Sequence, residues 1–190
     1  MTRMRIYCVA LAVALFGAAV FVACEKKSDS NSGGGGGGTK IIFVTSLQYN
    51  ANLGGLSGAD AKCALRGTAG GFSGTWKAWL SDSSTNAIDR IADVGPWVDT
   101  KGHLLFQNKA GMTGVPVTGI AYDENGNQHS GDNVITGTVT GGTKSSAVCS
   151  DWSSTSGAVQ AGYSDDSAHW TDNQNSASCI WPQRLYCVQQ

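Results

Sequence analysis

Basic residues are few and scattered in this chain of 190 residues, with no run of lysine or arginine longer than the pair Lys26-Lys27. Nucleic acid and strongly anionic polysaccharides call for a basic patch, so the sequence argues against both as partners. Glutamate is nearly absent, with Glu25 and Glu124 alone, and lysine and leucine are scarce beside 26 glycines. That balance excludes a helical bundle and points to loops, turns and short strands. The usual signatures of catalysis are missing too: there is no G-x-S-x-G elbow, no H-E-x-x-H and no G-x-x-x-x-G-K-[ST] loop. No C-x2-C spacing occurs, and none of His103, His129 or His169 lies close in sequence to a cysteine, which removes the ordinary zinc patterns. Nothing in the sequence calls for a cofactor.

The N-terminus has Arg3 and Arg5, then an apolar run from Ile6 to Ala23, then Cys24 followed by Glu25, Lys26 and Lys27. This order is that of an exported chain's leader. With Val22 and Ala23 directly before the cysteine, it resembles the lipobox of bacterial lipoproteins, although Phe21 stands where that motif usually has leucine. The resemblance implies a signal peptide over 1–23, with Cys24 diacylated as the first residue of the mature protein. It also implies a location at the cell envelope, in the outer membrane or at the cell surface, with membrane contact through the lipid alone. An uncleaved anchor is the competing reading, because the apolar run reaches the lower limit for spanning a bilayer. Residues 24–39 continue through a polar stretch into six glycines with nothing apolar to bury, the composition of a flexible tether. Past Cys24 the chain has eleven basic and fourteen acidic side chains, a net charge of −3 with neutral histidines.

Residues 40–190 are the size of one domain and contain no second linker and no internal repeat. Lys40-Ile41-Ile42-Phe43-Val44-Thr45 predicts a buried strand. Ser57 with Asp60 three residues on predicts a capped helix start, with the helix ending by Gly67 and Cys63 facing inward. Thr75 to Leu80 predicts a strand with Trp76, Ala78 and Leu80 on one face, which turns Trp79 to the other. Strands Trp97-Val98 and Leu104-Leu105-Phe106 flank a Lys101-Gly102 turn, and Asn125-Gly126 marks a hairpin after V-T-G-I-A-Y-D. The domain's four cysteines, Cys63, Cys149, Cys179 and Cys187, point in an exported protein to two disulfides, and the sequence by itself allows three pairings.

The segments F-V-T-S from Phe43, G-G-L-S-G-A-D-A-K-C ending at Cys63, G-T-W-K-A-W-L-S from Gly74 and N-S-A-S-C-x7-C ending at Cys187 resemble the endostatin domain of collagen. V-I-T-G-T, C-S-D-W-S-S-T-S-G and R-L-Y-C-V-Q-Q resemble a family of unknown function found in lipoproteins of leptospiral spirochaetes. Together these motifs span nearly all of 40–190. They imply a C-type-lectin-like α+β fold with a twisted antiparallel sheet, one or two short helices, long loops and nested disulfides, Cys63–Cys187 outside Cys149–Cys179. What the resemblance carries is scaffold, because the clustered arginines and N-terminal histidines with which vertebrate endostatins hold heparin and zinc have no counterpart here.

Calcium-dependent sugar binding in lectins of this fold uses a proline-containing triplet together with Trp-Asn-Asp. Here Trp170-Thr171-Asp172-Asn173 only hints at the second, and the first is missing. Asp123 to Asn127 opens like an EF-hand loop, but Gln128 replaces the required glycine and Val134 stands at the position of the bidentate glutamate, so a hairpin turn is the better reading. Asp165 and Asp166 remain available for a weak cation site, and no metal is expected. Of the six tryptophans, Trp79, turned away from Trp76, and Trp181, beside Pro182 between the last two cysteines, are the candidates for exposed ligand-binding aromatics. The resulting expectation is a membrane-anchored lipoprotein with a noncatalytic recognition domain for a glycan, an extracellular-matrix protein or an envelope protein. A structural envelope protein acting by self-association is the runner-up, and a small hydrolase comes third.

Overall fold

The computed structural model describes residues 38–190; the expected signal peptide over 1–23, Cys24 and most of the glycine-rich stretch lie outside the described residues. The domain is α+β and is organised around its last strand. In chain order the elements are β1 (Lys40–Val44), α1 (Gly55–Ala69), β2 (Trp76–Ala78), β3 (Trp97–Val98), β4 (Leu104–Phe106), β5 (Asn133–Ile135), β6 (Thr138–Val139), β7 (Thr143–Lys144), a four-residue helical turn α2 (Cys149–Trp152), β8 (Ala158–Tyr163), β9 (Ser176–Ser178) and β10 (Arg184–Gln189). Eight strands form one sheet in the order β4-β3-β1-β10-β5-β8-β9, with β2 also pairing β10, while β6 and β7 form a separate ribbon. Strand β10 therefore has β1 along one edge and, along the other, β5 at its start and β2 at its end.

The expected antiparallel sheet is in fact mixed. β1 pairs β3 in parallel, as β5 pairs β10, and the remaining pairs are antiparallel. The physical reason is connection length: parallel neighbours need a long crossover, and both pairs have one, through α1 and β2 in the first case and through β6 to β9 in the second.

Both faces of the sheet are buried, each under its own apolar cluster. Phe43, Ala78, Leu80, Ile135, Leu185 and Cys187 pack on one side with Ala59 and Cys63 of α1 and with Trp76 and Trp152. Ile42, Val44, Val134, Tyr186 and Val188 face the other way, against Trp79, Trp97, Phe106, Met112, Ile120 and Trp170. Alternation along each strand, with side chains pointing to opposite faces at successive residues, sorts them.

The helix begins earlier than the expected Ser57 cap. Its N-cap is Gly54, at φ 85, with no side-chain cap, and it extends two residues past Gly67. Asp60, the expected capping-box acid, points instead to β2 and the 3-10 turn Ile88–Arg90. It accepts from the Ala78 amide at 2.9 Å and from Arg90 Nη2 and Lys77 Nζ at 2.6 and 2.8 Å. Cys63 faces inward as expected, and the two disulfides are Cys63–Cys187 and Cys149–Cys179. The first ties α1 to β10 and the second ties α2 to the segment after β9. The sheet, both clusters and both disulfides described above are built from residues 38–190.

Candidate ligand-binding trough

The strand registers give the sheet two ends. At one end Lys40 pairs with Trp97 and donates from Nζ to the Gln190 carbonyl, so the chain enters the domain beside its own C-terminus. At the other lie the C-terminal ends of β1, β3 and β8 and the N-terminal ends of β4, β5 and β10. The loops that leave this second end enclose an open trough of about 370 Å³, near the lower end of the range for small-molecule sites. A second depression of about 320 Å³ adjoins it, and Asp165 lines both.

Loops held by a rigid scaffold are where binding groups ordinarily sit, and the anchoring here is explicit. The Val44 amide donates to the Tyr122 carbonyl, joining the loop before β5 to the end of β1. Ser46 donates to the buried Glu124 carboxylate through both its amide and its hydroxyl, and Arg66 of α1 completes that site from Nη2 at 2.6 Å. Arg184 at the start of β10 reaches Asp132 from Nε at 2.6 Å and the Thr45 and Ser46 carbonyls from Nη1. Gly119 permits a close approach: a Cβ there would lie 2.6 Å from the carbonyl carbon of Asp165, so no larger residue fits while the 164–166 loop stays where it is.

The apolar part of the lining is Leu104, Val117 and Ala121, of which Val117 is 72% exposed and Ala121 buried. Its polar side chains include His103, Tyr122, Gln128 and Asp165. His103 receives its orientation from the buried Asp99, whose Oδ2 is 2.8 Å from Nδ1, and its ring lies 5.8 Å from that of Tyr122. Lys101 Nζ sits 5.9 Å from the centroid of the Tyr122 ring, in cation-π range. Asp165 adopts a left-handed backbone, φ 62, and its Oδ2 accepts from Ser130 Oγ at 2.7 Å and Gln128 Nε2 at 3.5 Å.

Electrostatics around the trough follow from its many carboxylates. Burial opposes the charged form of Asp123, but the bond from His129 and the amides of Asn127 and Asn125 outweigh it and hold the carboxyl below its usual range. The bond from His169 does the same for Asp166. Burial pushes the Tyr186 phenol well above its ordinary value, and the carboxylates of Asp166 and Asp165 add to that push. Every histidine of the described residues is thus within hydrogen-bonding distance of an aspartate: His103 of Asp99, His129 of Asp123 and His169 of Asp166.

The two aromatic candidates part company. Trp181 is 59% exposed and adjoins exposed Ile180 and Pro182. Trp79 is 1% exposed, which overturns its assignment as a ligand-binding aromatic. It does turn away from Trp76, but that face is the second core, where it packs 4.8 Å from Trp170 and donates from Nε1 to Thr171 Oγ1. The Asn125-Gly126 turn is present, bracketed by a bridge between Tyr122 and Gln128, and Asp123 turns inward to cap it. Asp165 and Asp166 turn to different partners: one meets Ser130 and Gln128, the other His169. Among the described residues no group of three or more His, Cys, Asp or Glu side chains converges in a metal-holding arrangement.

Tyr122, His103 and Gln128 carried no sequence signal as site residues, because separate segments bring them together: His103 comes from the turn between β3 and β4, Tyr122 and Gln128 from the connection between β4 and β5. Only Asp165 was marked beforehand. No protein-family model matches the chain, and no curated protein matches it.

Proposed function

We propose that this chain is a membrane-anchored envelope lipoprotein whose endostatin-like, C-type-lectin-like domain acts as a noncatalytic recognition module, binding its ligand in the loop-end trough. The observation that carries this reading is the trough itself. It is open, its lining mixes apolar and polar side chains, and two of these, His103 and Asp165, are held by bonds to Asp99 and Ser130. Pre-positioning lowers the entropy lost when a ligand is seated. Its place supports the same reading, since it lies at the end of the sheet opposite Lys40, the first residue of β1. All four cysteines of the described residues are in disulfides, which leaves no thiol nucleophile among them. Trp181 is an exposed aromatic outside the trough lining, available to a protein or sugar surface.

The test is binding of disulfide-intact 38–190 to an array of glycans, extracellular-matrix proteins and envelope proteins, with calcium and with chelator. A selective, saturable ligand is expected, weakened at least tenfold by Tyr122→Ala in a variant that keeps its fold. A blank array, together with concentration-dependent self-association in sedimentation, would replace recognition by a structural role.

A further inference from the structure

We infer that the trough seats a lysine or arginine side chain presented by a protein partner, its cationic head on Asp165 and its aliphatic stem along Leu104 and Val117. The inference rests on the recognition reading above and narrows its ligand.

Charge pairing singles out Asp165. Around it, each neighbouring acid already meets a cation or a histidine of the fold: Asp132 meets Arg184, Glu124 meets Arg66, and Asp99, Asp123 and Asp166 meet their histidines. Asp165 meets only the neutral donors Ser130 and Gln128, both on Oδ2. Among the described residues its Oδ1 accepts no hydrogen bond, and no basic side chain lies within ion-pair distance of either oxygen. A charged donor arriving at Oδ1 therefore gains a bond that the protein leaves unmade, and bonds between charged partners are the stronger kind.

The rest of the trough fits the remainder of such a side chain. Leu104 is 36% and Val117 72% exposed, so the trough that Asp165 lines also offers apolar surface to water. Lysine and arginine lay apolar stems along surfaces of this sort while carrying the charge at the tip. An anionic ligand is disfavoured, because Asp165 and Asp166 sit together at this place. The domain's charge acts in the same direction at longer range: 38–190 has nine basic and twelve acidic residues, and six of the acidic ones lie between Asp99 and Asp132 or at Asp165 and Asp166. Opposite potentials speed encounter and fix orientation.

The experiment is a titration of 15N-labelled, disulfide-intact 38–190 with three probes, read by amide shifts: an end-capped Gly-Gly-Lys-Gly-Gly peptide, the same peptide acetylated on Nε, and a neutral chitin hexasaccharide. The lysine peptide is expected to shift amides of 103–105, 117–122, 128–131 and 163–166, acetylation to abolish those shifts, and Asp165→Asn to weaken binding at least fivefold. Asparagine tolerates the left-handed backbone at this position, so the variant should keep its fold. The acetylation comparison needs no variant and stands even if Asp165→Asn misfolds. Equal binding of both peptides, shifts confined to another surface, or no shifts at millimolar lysine peptide would overturn the cationic assignment. If the hexasaccharide alone moves the trough amides, the recognition reading survives and the lysine head does not. If an array ligand maps away from the trough, both readings of the trough fall.

Discussion

Asp123 shows how a residue chosen for one role in the sequence performs another in the fold. It opens a run that looks like a cation loop, yet its side chain is buried and serves the turn it belongs to, accepting from the Asn125 and Asn127 amides at 2.8 and 2.9 Å and from His129 at 3.0 Å. These bonds hold its carboxyl below the ordinary aspartate range, about 3.9 in an unfolded chain. The sign follows from linkage: a carboxyl depressed on folding contributes stability above its unfolded value and loses that contribution as pH falls through the folded one. Asp123→Asn should therefore unfold more readily than wild type in urea at pH 7, and the gap should narrow by pH 2.5. Parallel unfolding profiles across that range would mean that Asp123 carries no such linkage. Trp79 teaches the complementary lesson. Strand alternation in T-W-K-A-W-L was legible and correct, but alternation names a face and not its neighbour. What covers that face comes from distant segments, with Trp170 and Thr171 arriving some ninety residues later.

At the scale of elements, strands were readable wherever β-branched and aromatic residues cluster, as in β1, β3 and β4, and the helix was readable in place but not in its start. The least legible element is α2. All four of its residues, Cys149, Ser150, Asp151 and Trp152, have positive φ, between 48 and 67, which makes it a left-handed turn without a single glycine. Left-handed backbone costs a non-glycine residue about 1–2 kcal/mol, so local propensity argues against this element and long-range contacts must hold it. They are visible: the Cys149–Cys179 disulfide, the buried Trp152 donating from Nε1 to the Ser81 carbonyl, and Asp151 accepting from the Ser83 amide and hydroxyl at 2.8 Å. Ser150 is exposed, and its side chain makes no hydrogen bond among the described residues. Ser150→Gly removes the left-handed penalty there, offset by about 0.5–1 kcal/mol for glycine's freer unfolded chain. The variant should be more stable by about 0.5–1 kcal/mol in denaturant unfolding, and a loss of stability would show that the turn is not strained at Ser150.

At the scale of the molecule, the chain closes on itself. The first strand lies beside the last, and β10 occupies the middle of the sheet, so neither core face is complete until residues 184–189 arrive. The trough belongs to this scale as well, because its walls come from loops that only the finished sheet gathers at one end. That is why it could not be read along the sequence, while the cysteine content could. The Cys63–Cys187 bond spans 124 residues and enforces this closure, whereas Cys149–Cys179 spans 30 and sits inside it. In the loop-entropy account the outer bond stabilises by about 5 kcal/mol and the inner by about 3.5 kcal/mol. The inner bond also helps hold the left-handed turn, so its removal lets that strain relax and returns part of the loss. Replacing Cys63 and Cys187 by alanine should therefore cost more in denaturant unfolding than replacing Cys149 and Cys179, by more than the difference of about 1.5 kcal/mol that loop length alone predicts. Equal costs, or a larger one for the inner pair, would mean that the turn at Cys149 stabilises the domain and that chain closure through β10 matters less than the sheet order implies.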